Sequence, residues 1–383
     1  MPHSRMRISL PQMTPGTGRH LVVHRYGRVG ARPKVYMQSS IHANELPGAM
    51  ALHHLMPMLD AAERRGRIKG EIVLVPCVNP IGLSQLVGNN HLGRYDFNGR
   101  ENFNRNWLDL SGEVAERTGN RLGPDAAQNV VLIRKAALAA LAAMKPANEL
   151  HTLRVEAMKR SIDADVVLDL HCDAHAALHL FASGTDWPGA ARELAADIGA
   201  EATLYNEPYP EALTFSGVNG ALWPRLALRF PRANIPMACL SATIEYRGQH
   251  DVNHRLGEDD ARRLYRFLVR RGAVAGRAGA LPRLKAPGTP MGGMDVGYSP
   301  KTGMLVYHLE PGARVRKGQA VCEVIDPYDT RGPKARTQIV SRTDGVLFSR
   351  KLDGRLAWPG MVVFRIAGAK RLAHRKGMTG LDD

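Results

Sequence analysis

The chain has 383 residues, 44% hydrophobic and 23% charged, a composition that is ordinary for a globular protein with a deep core. Its 52 Lys and Arg residues outnumber 36 Asp and Glu residues, and the net charge of +16 favours anionic ligands. These basic residues are scattered and form no aromatic-interleaved basic motif, so we expect no nucleic-acid partner. The N-terminus has no signal-peptide pattern and no stretch suits a membrane span, which predicts a cytoplasmic protein without membrane association.

Short apolar runs alternate with longer helical patterns through the first 270 residues. This alternation predicts an α/β fold with a mixed, mostly parallel sheet flanked by helices. The predicted strands are residues 21–26, 34–39, 71–78, 166–171, 179–182 and 237–245. The predicted helices are residues 47–59, 126–144, 149–161 and 259–271.

The composition shifts to Pro and Gly around residues 281–290, which predicts a domain boundary. We therefore expect one domain over residues 1–282 and a second over residues 283–383. In the second, short β-like runs are separated by turns that contain Gly, as in a small all-β module. Its polar and basic end, from Lys370 onward, is predicted to fray.

The first candidate metal ligands, His42 and Glu45, follow the predicted strand 34–39 directly. Side chains three residues apart at a strand-to-helix junction can converge on one ion. A catalytic zinc site uses three protein ligands, commonly imidazole and carboxylate, and keeps one open position. The HxxE pair alone is a weak signal, because it often arises by chance.

His171 ends a predicted apolar strand and is the candidate for the third ligand. The carboxyl ends of parallel strands meet at one edge of a sheet, so His171 should emerge beside His42. Asp169 shares a strand face with His171, where it either orients that ligand or is simply a buried carboxylate. His175, four residues further on, competes for the role of ligand.

Glu245 ends another apolar run, again at a predicted strand end. Burying a carboxylate there is costly unless it has a partner or a function. Beside a metal ion it would act as general base and then as general acid. The alternative is an ordinary ion pair with Arg247, two residues on.

A polar loop rich in Asn and Arg, residues 93–107, lies between the first and third candidate ligands. Arginine is well suited to binding a carboxylate through two parallel hydrogen bonds. Without the flanking pattern, Arg94 and Arg105 would be interpreted as solvated loop charges.

The order of these motifs resembles the zinc carboxypeptidase superfamily, and more narrowly its succinylglutamate desuccinylase/aspartoacylase branch. HxxE is followed by NPxG, an arginine, NRNW, a strand-borne DLH and a strand-borne Glu. The resemblance covers residues 20–368. The chain has HANE where other members often have HGxE, and a helical insertion over about residues 112–160. These departures leave the identity of the substrate open, but they do not alter the candidate metal ligands.

The resemblance implies that His42, Glu45 and His171 bind one Zn²⁺ per chain, with Glu245 as the catalytic carboxylate. It also implies a carboxypeptidase-like α/β domain followed by a C-terminal β module.

The same resemblance assigns the loop residues. It implies that Asn104 and Arg105 bind a carboxylate of the substrate and that Arg94 polarises the scissile carbonyl. Arg100 lies close enough in sequence to compete with Arg94 for that role.

The implied function is zinc-dependent hydrolysis of a carbon–nitrogen bond other than a peptide bond. The substrate would be a small anionic amide, such as an N-acyl amino acid. A metallocarboxypeptidase acting on short peptides shares every residue named and is the main alternative. A non-catalytic zinc protein is disfavoured by Glu245, and a nucleic-acid-binding protein rests on charge alone. Oligomeric state stays open, and a homo-oligomer is compatible with the sequence.

The C-terminal module resembles a lipoyl-like barrel-sandwich fold. Lys351 lies near a turn but lacks the hairpin context of a modified carrier lysine. We therefore expect this module to form a lid or wall of the active site, or an oligomer contact, rather than a carrier.

Overall fold

A computed structural model describes residues 3–183, 189–205, 213–333 and 335–373. Its N-terminal unit contains twelve strands among these residues. In chain order they are β1 Ser4–Ser9, β2 His20–Tyr26, β3 Lys34–Ser39, β4 Glu71–Val75, β5 Leu86–Val87, β6 Asn90–His91, β7 Val166–Asp173, β8 His175–Ala176, β9 His179–Ser183, β10 Ala202–Tyr205, β11 Leu240–Gly248 and β12 Gly288–Pro290.

The described helices of this unit are α1 Pro47–Arg64, α2 Pro80–Leu83, α3 Ser111–Thr118, α4 Ala126–Ala143, α5 Glu149–Ser161, α6 Ala190–Ile198, α7 Phe215–Arg229 and α8 His254–Arg270. All eight described helices except α3 and α6 begin where a capping side chain or a proline supports the first turn. Pro47 suits the first position of α1 because that position needs no N–H donor. Helix α8 begins earlier than predicted because Asn253 Oδ1 accepts a hydrogen bond from Leu256 N at 3.0 Å.

Nine of these strands form one sheet in the described chain, in the order β1-β2-β4-β3-β7-β11-β9-β10-β12. The central neighbours β4, β3, β7 and β11 are parallel, which confirms the predicted mixed, mostly parallel sheet. Both faces of this centre are buried. Val166 packs against the core beneath α1 and α8, while Val167 packs against the core beneath α4 and α7. The sheet thus lies between two helical layers, and the long apolar runs of the sequence are its buried strands.

Some boundaries and elements differ from the prediction. Strand β4 ends at Val75 because Pro76 cannot donate a hydrogen bond to a neighbouring strand. Strand β11 begins only at Leu240, since the carbonyl of Ala238 accepts from Arg134 at 2.9 Å instead of from a strand. The prediction also missed α3, α6 and α7.

The C-terminal unit is built from antiparallel sheets. Its described strands are β13 Met294–Tyr298, β14 Gly303–Tyr307, β15 Arg314–Val315, β16 Ala320–Ile325, β17 Arg336–Val340, β18 Gly345–Arg350, β19 Leu356–Ala357 and β20 Val362–Gly368. They pair as β13-β20-β18-β15 and β17-β16-β14-β19, around a core that includes Leu305, Val324, Leu347 and Phe364. The all-β prediction agrees with this arrangement. Of the tail predicted to fray, Leu372 N still donates to Gly292 O at 2.9 Å, and residues 374–383 lie outside the described residues.

The two units join beside the carboxyl end of the large sheet. The short strand β8 pairs with β18, with Ala176 opposite Ser349 and His175 opposite Arg350. Phe348 packs its ring against His179 of β9, with ring centroids 4.7 Å apart. The C-terminal unit is therefore fixed next to the strand ends that carry the candidate ligands.

Helix α4 is the one helix in the described chain that is long and apolar enough to cross a membrane by length and composition alone. This is weak evidence for a span, because core helices of soluble proteins meet the same criteria. Ile133, Ala137 and Leu141 of α4 pack into the core of the N-terminal unit.

Candidate metal centre and active site

The candidate site lies at the carboxyl ends of β3, β7 and β11. His42 and Glu45 occupy the short connection between β3 and α1, and His171 lies near the end of β7. Glu245 on β11 is directly opposite His171 in the parallel pairing of the two strands. Adjacent parallel strands that end together thus place residues far apart in sequence around one point.

The three candidate metal ligands form a compact, buried group. Ligand atoms of His42, Glu45 and His171 all lie within 4.8 Å of one another. Glu45 connects the two rings: its Oε1 is 2.9 Å from His42 Nδ1 and its Oε2 is 2.8 Å from His171 Nδ1. Each of the three residues is at most 4% exposed.

Hydrogen bonding fixes which nitrogen of His42 is available. Asn102 Oδ1 accepts from the backbone N–H of Asn104 at 2.9 Å, so this atom is an oxygen. His42 Nε2, 2.8 Å from the same oxygen, must therefore donate its proton there. Burial lowers the pKa of His42, although Glu45 opposes that shift, and the neutral ring that this favours carries a lone pair on Nδ1. That lone pair faces the carboxylate of Glu45.

A second buried chain of polar groups orients His171. Its Nε2 lies 2.8 Å from Asp169 Oδ2, while Gln38 Nε2 donates to Asp169 Oδ1 at 3.0 Å. Tyr36 in turn donates to Gln38 at 2.8 Å. Although burial disfavours the imidazolium form, Asp169 and Glu45 raise the pKa of His171 well above its ordinary value. Nδ1 of His171 therefore holds either a proton or, in its place, a cation.

This geometry fits a divalent cation. Two imidazole Nδ1 atoms and one carboxylate point at a common centre, and without a cation a lone pair of His42 and an oxygen of Glu45 would face each other. The far nitrogen of each ring is held by an acceptor, as is usual for histidines that bind metals. Two histidines and one glutamate also form a known ligand set of catalytic zinc.

Glu245 is not engaged in the ion pair that the sequence offered as an alternative. Arg247 instead binds Asp260, with Arg247 Nη1 donating to Asp260 Oδ1 at 3.2 Å. Glu245 Oε2 is buried and has no hydrogen-bond partner among the described residues. Burial, reinforced by Glu45 and Asp173, raises the pKa of Glu245 to about 8. A carboxyl group with such a pKa can exchange a proton near neutral pH.

Arg94 lies closer to the metal ligands than Arg100. Its Nη1 is 3.3 Å from both Glu45 Oε1 and His42 Nδ1. Arg100 occupies an exposed position with a φ of 55° on the same loop and does not line the cavity. Of the two arginines, Arg94 is therefore the one that lies within reach of the candidate ligands.

All seven predicted site residues line one cavity of about 100 Å³, which we call the inner cavity. Asn104 is anchored there because its Oδ1 accepts from Phe215 N at 2.9 Å, which directs its Nδ2 group toward His171 at 3.3 Å. Arg105 Nη1 donates to the carbonyl of Asn104 at 3.0 Å.

The model of the succinylglutamate desuccinylase/aspartoacylase catalytic domain matches residues 31–268, more than half of the chain. The protein belongs to this family. Its members are hydrolases, and the matched region contains all seven predicted site residues. No curated protein matches the sequence.

Solved structures of family members share the fold over nearly the whole chain. A putative family member from Shewanella amazonensis is 22% identical, with a TM-score of 0.81 over 95% of this chain and 98% of that one. One from Shewanella frigidimarina is 20% identical, with a TM-score of 0.80 over 96% and 97% of the two chains. The product-bound ectoine utilization protein EutE of Ruegeria pomeroyi is 16% identical, with a TM-score of 0.63 over 96% and 95%.

Within this family fold, His175 is not a ligand of the described metal cluster. His175 lies on β8, which pairs with β18 of the C-terminal unit, and its Nε2 is 3.7 Å from Glu310 Oε2. Strand β8 begins four residues after His171, and its pairing with β18 turns the chain toward the C-terminal unit.

Sequence reasoning missed several polar residues of the site. Asn102, Gln38 and Arg365 were not singled out. Gln38 and Arg365 are polar residues within apolar strands, which is a signal in the sequence, whereas Asn102 lies in a loop and left none. Arg365, on β20 of the C-terminal unit, lines the inner cavity and is 3.5 Å from Asp173. Asp173 also accepts a hydrogen bond from Ser349. The C-terminal unit thus forms part of the wall of the site.

Proposed function

We propose that this protein is a zinc-dependent deacylase that hydrolyses the amide bond of a small N-acyl amino acid or a related carboxylate-bearing amide. One observation carries the proposal: the candidate metal ligands, the carboxyl group of Glu245, and the arginines Arg94 and Arg105 line the same inner cavity. Membership of a hydrolase family supports the reaction class.

His42, Glu45 and His171 would hold the ion through Nδ1, a carboxylate oxygen and Nδ1. A divalent ion supplies Lewis-acid chemistry, making a carbonyl more electrophilic and water more acidic. Asn102 and Asp169 keep both rings in the tautomer that such an ion requires.

Two side chains of the protein, those of Glu245 and Arg94, take part directly in the reaction. Glu245 accepts a proton as water adds to the amide carbon, and later returns a proton to the nitrogen when the carbon–nitrogen bond breaks. The products are a carboxylate and an amine. Arg94 donates hydrogen bonds to the oxygen on which negative charge develops, a type of contact that stabilises the transition state more than the ground state.

Asn104 and Arg105 would bind the carboxylate of the amine half of the substrate. Both line the inner cavity, and the amide of Asn104 is fixed by its bond to the backbone of Phe215. A fixed donor pair sets the approach of the substrate, and such positioning contributes to rate as well as to binding.

The test is the release of primary amine from a panel of N-acyl amino acids and peptides with a free C-terminus, using zinc-loaded protein. Glu245→Gln is the matched blank, because it preserves the shape of the side chain and removes its base. Zinc content is measured in both proteins. Release that persists unchanged in Glu245→Gln would contradict the proposal.

The same panel tests the alternative of a metallocarboxypeptidase. The C-terminal unit closes one side of the site, which supports small substrates over long peptides. Release from peptides but from no N-acyl amino acid would assign the protein to the peptidases.

A further inference from the structure

A second, larger cavity opens from the inner cavity toward the C-terminal unit. Its volume is about 560 Å³, and we call it the outer cavity. The two cavities share Glu45, Arg94, Cys172 and Asp173 in their walls. Its outer wall comes from the C-terminal unit and includes Tyr298, Lys351, Arg355, Trp358 and Met361.

The two cavities divide the substrate between them. Asn104 and Arg105 line only the inner cavity, so an amine half that carries a carboxylate belongs there. Glu45 and Arg94 line both cavities and mark the position of the scissile carbonyl. The acyl half, on the other side of that carbonyl, therefore extends into the outer cavity. With about 560 Å³ against about 100 Å³, the acyl half has far more room than the amine half.

The wall of the outer cavity is rich in exposed aromatic surface. Tyr95 and Tyr298 are each 44% exposed, and Trp358 is 58% exposed. Single exposed apolar side chains are common, but three aromatic rings around one cavity next to a catalytic centre indicate a binding surface. Rings of this kind gain most from contact with another flat, apolar group.

The outer cavity is also lined by basic side chains that are not neutralised by a neighbouring carboxylate in the described chain. Lys351 and Arg355 have no ion-pair partner among the described residues. Their neighbour Arg350, in contrast, binds both Glu310 and Asp353.

The acids of the same cavity are already engaged elsewhere. Glu45 faces the two histidines of the metal cluster, and Asp173 binds Ser349 and Arg365. Lys351 and Arg355 are therefore available to an anionic group of a ligand.

We infer that the outer cavity binds the acyl half of the substrate and that this half carries an aromatic ring and an anionic substituent. The inference rests on the proposed deacylase function, since it assigns the acyl side of that reaction. The ring contacts Tyr95, Tyr298 and Trp358, and the anion lies at Lys351 and Arg355.

Binding is measured by calorimetry with zinc-loaded Glu245→Gln protein, so that turnover does not interfere. The probes share one amine, L-glutamate, and differ in the acyl group: acetyl, succinyl, benzoyl and 4-carboxybenzoyl. We expect the 4-carboxybenzoyl probe to bind at least ~10-fold more tightly than the acetyl probe, from ring contact and ion pairing together. Benzoyl should fall between them.

Two variants in the same background separate ring from charge. Trp358→Ala should weaken binding of the 4-carboxybenzoyl probe by about 5- to 10-fold. The double variant Lys351→Ala/Arg355→Ala should remove most of its advantage over the benzoyl probe. Tyr328→Ala is the matched control, because Tyr328 is an aromatic residue of the same unit that is 97% exposed and lies outside the cavity.

Equal affinity for the acetyl and 4-carboxybenzoyl probes, including no measurable binding of either, would overturn the inference. So would tighter binding of the succinyl probe than of both aromatic probes, or an effect of Trp358→Ala no larger than that of Tyr328→Ala. These results are distinct from failure of the proposed function. Amine release from a small acyl amino acid that is lost in Glu245→Gln would uphold deacylation while the acyl assignment failed.

Discussion

The two walls of the active site are built on different principles. On the wall from the large sheet, His42, Glu45 and His171 are nearly inaccessible to solvent, and each ring nitrogen has a fixed partner. On the wall from the C-terminal unit, Trp358 is 58% exposed and Lys351 has no ion-pair partner in the described chain. The candidate metal ligands are held rigidly by these bonds, whereas the wall from the C-terminal unit leaves charged and aromatic groups exposed until a ligand arrives. Changes on the first wall should therefore act on turnover and metal affinity, and changes on the second on selectivity.

The largest of these effects should come from Arg94, whose side chain lies beside His42 and Glu45. Arg94→Ala should lower kcat by about 10²–10³, because losing one donor to the developing oxyanion typically costs that much. Steady-state kinetics on the best substrate of the panel would measure it.

Arg100→Ala is the matched control for this prediction, since Arg100 belongs to the same loop but lies outside the cavity. Its kcat should stay close to that of the parent protein. A rise in KM alone in Arg94→Ala, or a larger loss in Arg100→Ala, would remove Arg94 from the oxyanion role.

A smaller effect should follow from the buried carboxylate behind His171. Asp169→Asn keeps the shape of the side chain but weakens its hold on His171 Nε2. We expect zinc affinity to fall by about 10- to 100-fold, as is typical when a partner of a metal-binding histidine is lost. Chelator competition would measure this change.

Asp165→Asn provides the control, because Asp165 immediately precedes the same strand, at the end away from His171, and is bound to Arg134 at 2.8 Å. It should leave zinc affinity unchanged. Equal losses of zinc in the two variants would mean that the effect comes from damage to the strand rather than from the orientation of His171.

The same contrast explains what the sequence could predict. The candidate ligands and Glu245 stand at or just after the ends of apolar strands, so a local pattern marks them as candidates, and the order of the motifs assigns their roles. The parallel pairing of β7 with β3 and β11 brings them together. Asn102 and Arg365 could not be assigned in this way. Their roles depend on where a loop and a second unit come to lie, which is a long-range contact that no local period encodes.

The smallest effect concerns the contact that joins the two walls. His179 is fully buried against Phe181 and Phe348, and its Nδ1 donates to the carbonyl of Ala177 at 2.9 Å. Its Nε2 has no hydrogen-bond partner within the described residues. Burial lowers the pKa of His179 to about 4, although the nearby carboxylate of Asp173 opposes that shift. The folded protein therefore keeps this ring neutral at pH values where the unfolded chain protonates it.

The difference in the pKa of His179 between the folded and unfolded states determines how stability changes with pH. Between about pH 6.5 and pH 4 the unfolded state binds one more proton at this position, so the free energy of unfolding should fall as the pH falls. The contribution of His179 is at most about 1.4 kcal/mol per pH unit. His179→Gln removes it, and denaturant unfolding of both proteins at several pH values in this window would measure the difference in slope. Because all other groups titrate alike in both proteins, parallel curves would mean that His179 is not held neutral, and that the C-terminal unit does not seal the ring from solvent.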